Sequence, residues 1–205
     1  VNVVFLSQVV IYGLAFTLRV VLARGLGDSG LGTYALFFNA VLVAGGVANL
    51  GIGLGNIYFL NKRTYSYEAL LAGSLSAVVM TSFVSWAILG GYALVVGDQL
   101  FVGGRSFWLY AAALPAVVAY VILTSFLHGS SRFLALSAVA VVQGTFAVIA
   151  ATVLSVLDAL DVFSALAVWT GSFLGADLLA LALVGPRRID VPAVIRPRWR
   201  VLRDQ

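Results

Sequence analysis

Long apolar runs, separated by short polar connections, make up most of the chain. An α-helix of about 20 residues crosses a hydrocarbon core about 30 Å thick. Strands of a membrane barrel would be about ten residues long, with polar residues at every second position. Six runs reach the helical length, at residues 3–23, 31–60, 70–96, 107–127, 133–157 and 162–184. The pattern therefore predicts an all-α, polytopic membrane protein whose six transmembrane helices form one bundle over residues 1–184.

Composition agrees with this prediction and excludes several kinds of site. Hydrophobic residues make up 62% and charged residues 10% of the 205 residues, whereas soluble domains carry about 25% charged residues. Cysteine is absent, which excludes disulfides, thiol catalysis and cysteine metal sites. The single histidine, His128, falls in a short turn without other metal-ligating residues. We therefore expect no metal site and no cofactor.

The cations predict an orientation in the membrane. The connections are short, so successive helices run antiparallel and the connections alternate between the two sides. One side has only Arg24 and Arg105. The other side collects Lys62, Arg63, Arg132, Arg187, Arg188, Arg196, Arg198, Arg200 and Arg203. By the positive-inside rule both termini are cytoplasmic. Because the net charge of +4 lies beside the helices, orientation explains it better than binding of nucleic acid.

The last segment, residues 185–205, changes abruptly to three prolines and six arginines. A basic segment of this kind is either a solvated tail or linker, or an interfacial segment bound to anionic lipid head groups. In the second case Arg196, Arg198 and Arg200 would contact the head groups, and Trp199 would lie in the interface. Both interpretations stay open at this point.

Ionisable residues inside the predicted helices are candidates for a functional site, because a charge costs at least about 2.5 kcal/mol at the bilayer centre. Arg19 and Asp177 are the two residues of this kind. Gln8, Tyr12 and Arg19 share one face of the first helix, which predicts a polar stripe toward the bundle interior. Arg19 either reaches the outer head groups or forms an anion site in a central cavity, where its planar guanidinium suits phosphate.

Three further features of the predicted helices bear on function. Asp177 shares a helix face with Thr170, and it is either a coupling site for a proton or cation or a structural aspartate bonded to a neighbouring helix. Asn49 and Asn56 lie seven residues apart and so share a face of the second helix. They predict either a hydrogen-bonded, close-packed seam or a flexible gating helix, and both are candidate cavity residues. Pro115 predicts a kink in the fourth helix.

Three stretches resemble motifs of the polysaccharide and O-antigen flippases in the multidrug/oligosaccharidyl-lipid/polysaccharide (MOP) superfamily. LARGLGDSGLGTYAL at residues 22–36 resembles the connection after the first helix of that family. Its matching positions are Arg24, Leu26, Gly27, Gly32 and Tyr34. NLGIGLGNIYF at 49–59 and FLHGSSRF at 126–133 resemble two later motifs. Asp28 stands where the family commonly has proline, and Leu31 where it has an aromatic residue.

The resemblance implies an N-terminal six-helix bundle that faces a second such bundle across a central cavity. It also implies alternating access, which moves an undecaprenyl-pyrophosphate-linked oligosaccharide outward across the bacterial cytoplasmic (inner) membrane. The partners would be the lipid-linked glycan, membrane lipids, and either a missing C-terminal half or a second copy in a homodimer. We expect the chain to be either a truncated fragment or a functional half-size protein.

Other functions remain open at this point. A multidrug or lipid II exporter of the same superfamily would differ in its cavity, where arginine favours a saccharide lipid and acids favour a cationic drug. An alternative of another class is a non-transporting membrane interaction protein or an inactive fragment. A membrane glycosyltransferase or glycan polymerase would need a catalytic loop of acids or histidines outside the membrane. The outer connections are short and offer few acids, so we expect no enzymatic activity.

Overall fold

The computed structural model describes residues 2–96 and 105–184, and within these ranges it contains helices and no strand. The six helices are α1 (Asn2–Ala48), α2 (Ile52–Lys62), α3 (Tyr67–Val96), α4 (Arg105–Gly129), α5 (Phe133–Val156) and α6 (Val162–Val184). Five of them, all except α2, are long and apolar enough to cross a membrane. The all-α, polytopic bundle expected from the apolar runs is thereby confirmed. The basic segment 185–205, with Arg196, Arg198, Trp199 and Arg200, lies outside the described residues.

The longest helix, α1, has 47 residues and bends at Gly27, whose φ is 65° and ψ is −177°. This combination of angles is essentially restricted to glycine. The bend divides α1 into an N-terminal arm, residues 2–26, and a C-terminal arm, residues 28–48. Leu22 from the first arm and Tyr34 from the second belong to the same buried cluster, so the arms fold back along each other. The expected connection over residues 24–30 is thus reduced to a bend at one residue.

The second predicted run, residues 31–60, is interrupted between α1 and α2. Leu50 and Gly51 have φ values of 48° and 77° there, in the left-handed region that ends a right-handed helix. The side-chain oxygen of Asn49 accepts a hydrogen bond of 3.3 Å from a backbone N–H in the first turn of α2. Asn49 and Asn56 therefore belong to separate segments. The prediction that they share one helix face is wrong, because the left-handed residues break the helical repeat.

Contacts between the helix ends define the direction of the bundle. Gly129 at the end of α4 lies so close to α2 that an added Cβ would be 3.2 Å from the Cα of Ile57. The Tyr67 hydroxyl at the start of α3 donates a hydrogen bond of 3.0 Å to the Val184 carbonyl at the end of α6. The ends of α2, α4 and α6 therefore meet at one end of the bundle. We call it the basic end, because Lys62 and Arg132 lie there; the opposite end carries the bend of α1.

The buried apolar side chains form two separate clusters, one toward each end. The basic-end cluster includes Leu70, Leu71, Val118, Ile122 and Phe126. The opposite-end cluster includes Leu22, Phe37, Val41, Leu114 and Trp169. The central helix is α4, which contacts all five other helices and contributes to both clusters. The bundle thus has two cores stacked along the helix axes.

Candidate functional site

A cavity of about 660 Å³ lies between the two arms of α1, α5 and α6. This volume falls in the range of about 300–1,000 Å³ that is typical of small-molecule sites. Most of the lining is apolar, with aromatic rings of Phe38, Trp169 and Phe173 among it. The polar side chains that line it are those of Arg19, Tyr34, Asn39 and Gln143. The cavity therefore combines an apolar wall with a few polar groups.

Arg19 is the one charged side chain among the described residues that line the cavity. It lies on the N-terminal arm and is exposed, so a ligand can reach its guanidinium. Across the cavity, Asn39 on the C-terminal arm donates a hydrogen bond of 2.8 Å to the Ala35 carbonyl of its own helix. On α5, the amide of Gln143 donates one of 2.8 Å to the Ser172 hydroxyl. The two amides are therefore held in place, and Arg19 supplies the charge.

The predicted polar stripe on the first helix does not face the interior as a unit. Tyr12 is 72% exposed, Gln8 is exposed as well, and neither lines the cavity. The neighbouring face of the arm, with Leu14, packs close to Gly144 of α5. Because α5 covers that face, Gln8 and Tyr12 point to the outer surface of the bundle. Of the three residues, only Arg19 reaches the cavity.

Asn56 lies in a buried polar seam that joins three helices. Its side-chain oxygen accepts a hydrogen bond of 2.9 Å from Ser74 on α3, and its amide donates one of 3.2 Å to Ser125 on α4. The Asn56 side chain has no exposed surface and does not line the cavity. The seam therefore joins Asn56 to Ser74 and Ser125, whereas the side chain of Asn49 accepts a hydrogen bond from the first turn of α2. Neither asparagine is in a position to contact a ligand in this cavity.

Asp177 lies on α6, one turn beyond Phe173, whose ring lines the cavity. The Oδ1 atom of Asp177 is buried and has no hydrogen-bond partner in the part of the chain that the structure describes. The same is true of Thr170 Oγ1, seven residues earlier on the same face. A buried polar atom without a partner is costly. The Asp177 carboxylate can therefore take up a proton, and both oxygen atoms can accept a hydrogen bond from a water molecule or contact a cation. Within the described ranges, no group of three or more acidic or histidine side chains could hold a metal ion.

Three polar residues of the cavity lining were not among the site residues predicted from the sequence. Tyr34, Asn39 and Gln143 become neighbours of Arg19 only because the arms of α1 fold back and α5 packs beside them. Gln143 could have been noticed, since it is the only side-chain amide in the run 133–157. Comparisons of the chain with protein-family models, with curated proteins and with solved structures find no match. The geometry of the cavity and the sequence motifs are therefore the basis for assigning a function.

Proposed function

We propose that the chain is one lobe of a transporter that flips a lipid-linked oligosaccharide across the bacterial cytoplasmic membrane. The observation that carries this proposal is the guanidinium of Arg19, the one charged group among the described residues that line a mostly apolar cavity between membrane-spanning helices. An amphipathic anion has complementary chemistry, because a phosphate pairs with the guanidinium and a prenyl chain contacts the apolar wall. The identity of the ligand as undecaprenyl pyrophosphate bearing a glycan rests on the motifs at residues 22–36, 49–59 and 126–133.

Charge balance supports an anionic ligand. A cation inside a membrane protein is usually paired with an acid or faces a water-filled pathway. No acidic side chain is among the described residues that line this cavity, so a bound phosphate would supply the missing counter-charge. An arginine is well suited to it, because its planar fork donates two parallel hydrogen bonds to one phosphate.

Alternating access requires a second body against which this bundle can move. That body is either a second lobe or a second copy of the chain, and the cavity would lie between the two bodies in one state of the cycle. Under this proposal both termini face the cytoplasm, and Asp177 is the residue that couples movement to a proton or cation gradient. The unpartnered Oδ1 of Asp177 next to the turn that lines the cavity supports that role.

Binding of undecaprenyl pyrophosphate to the chain in lipid nanodiscs tests the proposal. Arg19→Gln should raise the Kd by about 10- to 100-fold, the range expected for losing hydrogen bonds between charged groups. Arg24→Gln is the matched control, since Arg24 is exposed and does not line the cavity, and it should leave the Kd unchanged. An unchanged Kd in Arg19→Gln would refute the anion site.

A second probe separates the alternatives. The cation tetraphenylphosphonium should bind poorly, because it would lie beside an uncompensated guanidinium. Binding of this cation without binding of the pyrophosphate would instead favour a multidrug exporter. Binding of neither probe would favour a non-transporting interaction protein. Lipid II shares the pyrophosphate, so flux of each fluorescent lipid in proteoliposomes distinguishes the two saccharide substrates.

A further inference from the structure

Pro115 creates a free backbone acceptor in the central helix of the bundle. Proline has no N–H, so the carbonyl oxygen of Ala111, four residues earlier in α4, loses its helical hydrogen bond. A carbonyl without a donor is costly at membrane depth. The indole Nε1 of Trp86 on α3 donates a hydrogen bond of 2.8 Å to this oxygen. The neighbouring helix therefore replaces the donor that the proline removes.

The same part of α4 lies at the boundary between the two apolar clusters. Ala113, Leu114 and Val117 belong to the opposite-end cluster, whereas Val118 and Ile122 belong to the basic-end cluster. The change from one cluster to the other falls about 17 Å from the basic end of α4, at 1.5 Å per residue. The segment of α4 up to Val117 and the segment from Val118 onward are thus packed into different cores, and the change falls within one helical turn of Pro115.

Two other chain segments, at about the same distance from the basic end, also have features that favour bending. Gly51, in the left-handed break between α1 and α2, also lies about 17 Å from the basic end, measured along α2. Its neighbour Leu50 adopts a left-handed conformation that is strained for a residue with a side chain. On α6 the clusters change between Trp169 and Ala176, and the intervening Gly171 has no atom within 4 Å of the position of a Cβ. We call this shared height the hinge level.

We propose that the bundle bends at the hinge level, and that the hydrogen bond from Trp86 to Ala111 is the latch that holds it straight. While the latch is closed, residues 105–114 of α4 stay aligned with residues 116–129. When it opens, the opposite-end cluster tilts on the basic-end cluster. Leu22, Tyr34 and Trp169 belong to the moving cluster and also line the cavity, so the tilt changes the shape of the cavity. The device does not depend on which ligand the cavity binds.

Distances between spin labels in lipid nanodiscs test the latch, and the absence of cysteine from the natural sequence makes labelling specific. One pair, Trp108→Cys with Leu134→Cys, joins α4 beyond the hinge level to α5 at the basic end. A second pair, Val121→Cys with Leu134→Cys, has both labels at the basic end. All three positions are exposed. A bend should change the first distance and leave the second one constant.

The test variant is Trp86→Phe, which removes the N–H donor and keeps an aromatic ring. It should raise the ratio of bent to straight conformers in the first pair by about fivefold, the factor that one typical hydrogen bond represents. Its matched control is Phe83→Leu, which removes the ring that packs against Trp86 at 5.5 Å but keeps the donor. The control should leave both distances as they are in the natural protein.

Pro115→Ala is the decisive variant, because it restores a helical N–H for the Ala111 carbonyl. The double variant with Trp86→Phe should return the first distance to its natural distribution. If Trp86→Phe alone does not fold, the double variant should still fold with that distribution. The latch is refuted by an unchanged first distance in Trp86→Phe, by equal changes in both pairs, or by a double variant that is not restored.

Discussion

At the scale of the residue, Gly27 is the position where backbone conformation decides the structure. Its φ and ψ of 65° and −177° cost a residue with a side chain about 1–3 kcal/mol. Gly27→Ala should therefore lower the free energy of unfolding by about that amount, measured by titration with dodecyl sulfate in bicelles. A steric clash would not contribute to this loss of stability, since no atom lies within 4 Å of the position of a Cβ at Gly27.

Gly32→Ala is the control for this prediction. Gly32 also has open space at the position of a Cβ, but it lies in the helical C-terminal arm and does not have a positive φ. Alanine is favoured over glycine there by about 1 kcal/mol, so this variant should be as stable as the natural protein or more stable. Equal destabilisation by both substitutions would mean that the bend does not depend on the torsion angles of Gly27.

Among the candidate residues, those whose signal is local could be predicted and those that depend on packing could not. Arg19 was predictable, because a charge within an apolar run needs an explanation wherever the helix packs. The direction of the polar stripe on the first helix could not be predicted, since Gln8 and Tyr12 point outward only because α5 covers the adjacent face of the N-terminal arm. For the same reason, nothing in the sequence around Tyr34 indicates that it would share a cavity with Arg19.

At the scale of the element, the apolar runs gave good estimates of where most helices begin and end. The predicted run 133–157 corresponds to α5 and the run 162–184 to α6 within one residue, because membrane thickness fixes the length of an apolar helix. The break between α1 and α2 was not predictable in this way. Glycine permits a left-handed conformation without requiring it, and of the six glycines in the second run only Gly51 adopts one.

The end of α6 depends on donors from other elements, because the last carbonyls of a helix lack intrahelical partners. Tyr67 donates to the carbonyl of Val184, and the guanidinium of Arg132 donates to that of Leu183. Tyr67→Phe removes one donor and should speed hydrogen exchange in the last turn of α6 about fivefold, as expected for one typical hydrogen bond. Tyr58→Phe is the control, since the Tyr58 ring contacts Lys62 and lies away from α6. Faster exchange in both variants would argue against the cap.

At the scale of the whole molecule, the coupling role of Asp177 predicts a loss of gradient dependence. Under the proposed function, a proton gradient should accelerate flux of the lipid-linked glycan in proteoliposomes that contain the natural chain together with its second lobe or second copy. Asp177→Asn keeps the shape of the side chain and cannot exchange a proton, so its flux should be independent of the gradient. Asp158→Asn, at an exposed turn, should respond like the natural protein. Undiminished gradient dependence in Asp177→Asn would exclude the coupling role.

The distribution of charge over the described residues predicts the orientation of the whole bundle. The basic end has three cations, Lys62, Arg63 and Arg132, and one acid, Glu68. The opposite end has two cations and three acids, namely Arg24, Arg105, Asp28, Asp158 and Asp161. Cytoplasmic connections of membrane proteins carry the excess of lysine and arginine. The basic end should therefore lie in the cytoplasm.

Single cysteines in the cysteine-free chain measure this orientation directly. Asn61→Cys marks the basic end and Ala159→Cys the opposite end, and both positions are exposed. In intact bacterial cells whose outer membrane has been made permeable, a maleimide that cannot cross the inner membrane should label Ala159→Cys only. Once the inner membrane is opened by detergent, it should label both variants, which shows that Asn61→Cys is reactive. Labelling of Asn61→Cys alone in intact cells would reverse the orientation and move Arg19 toward the cytoplasmic leaflet.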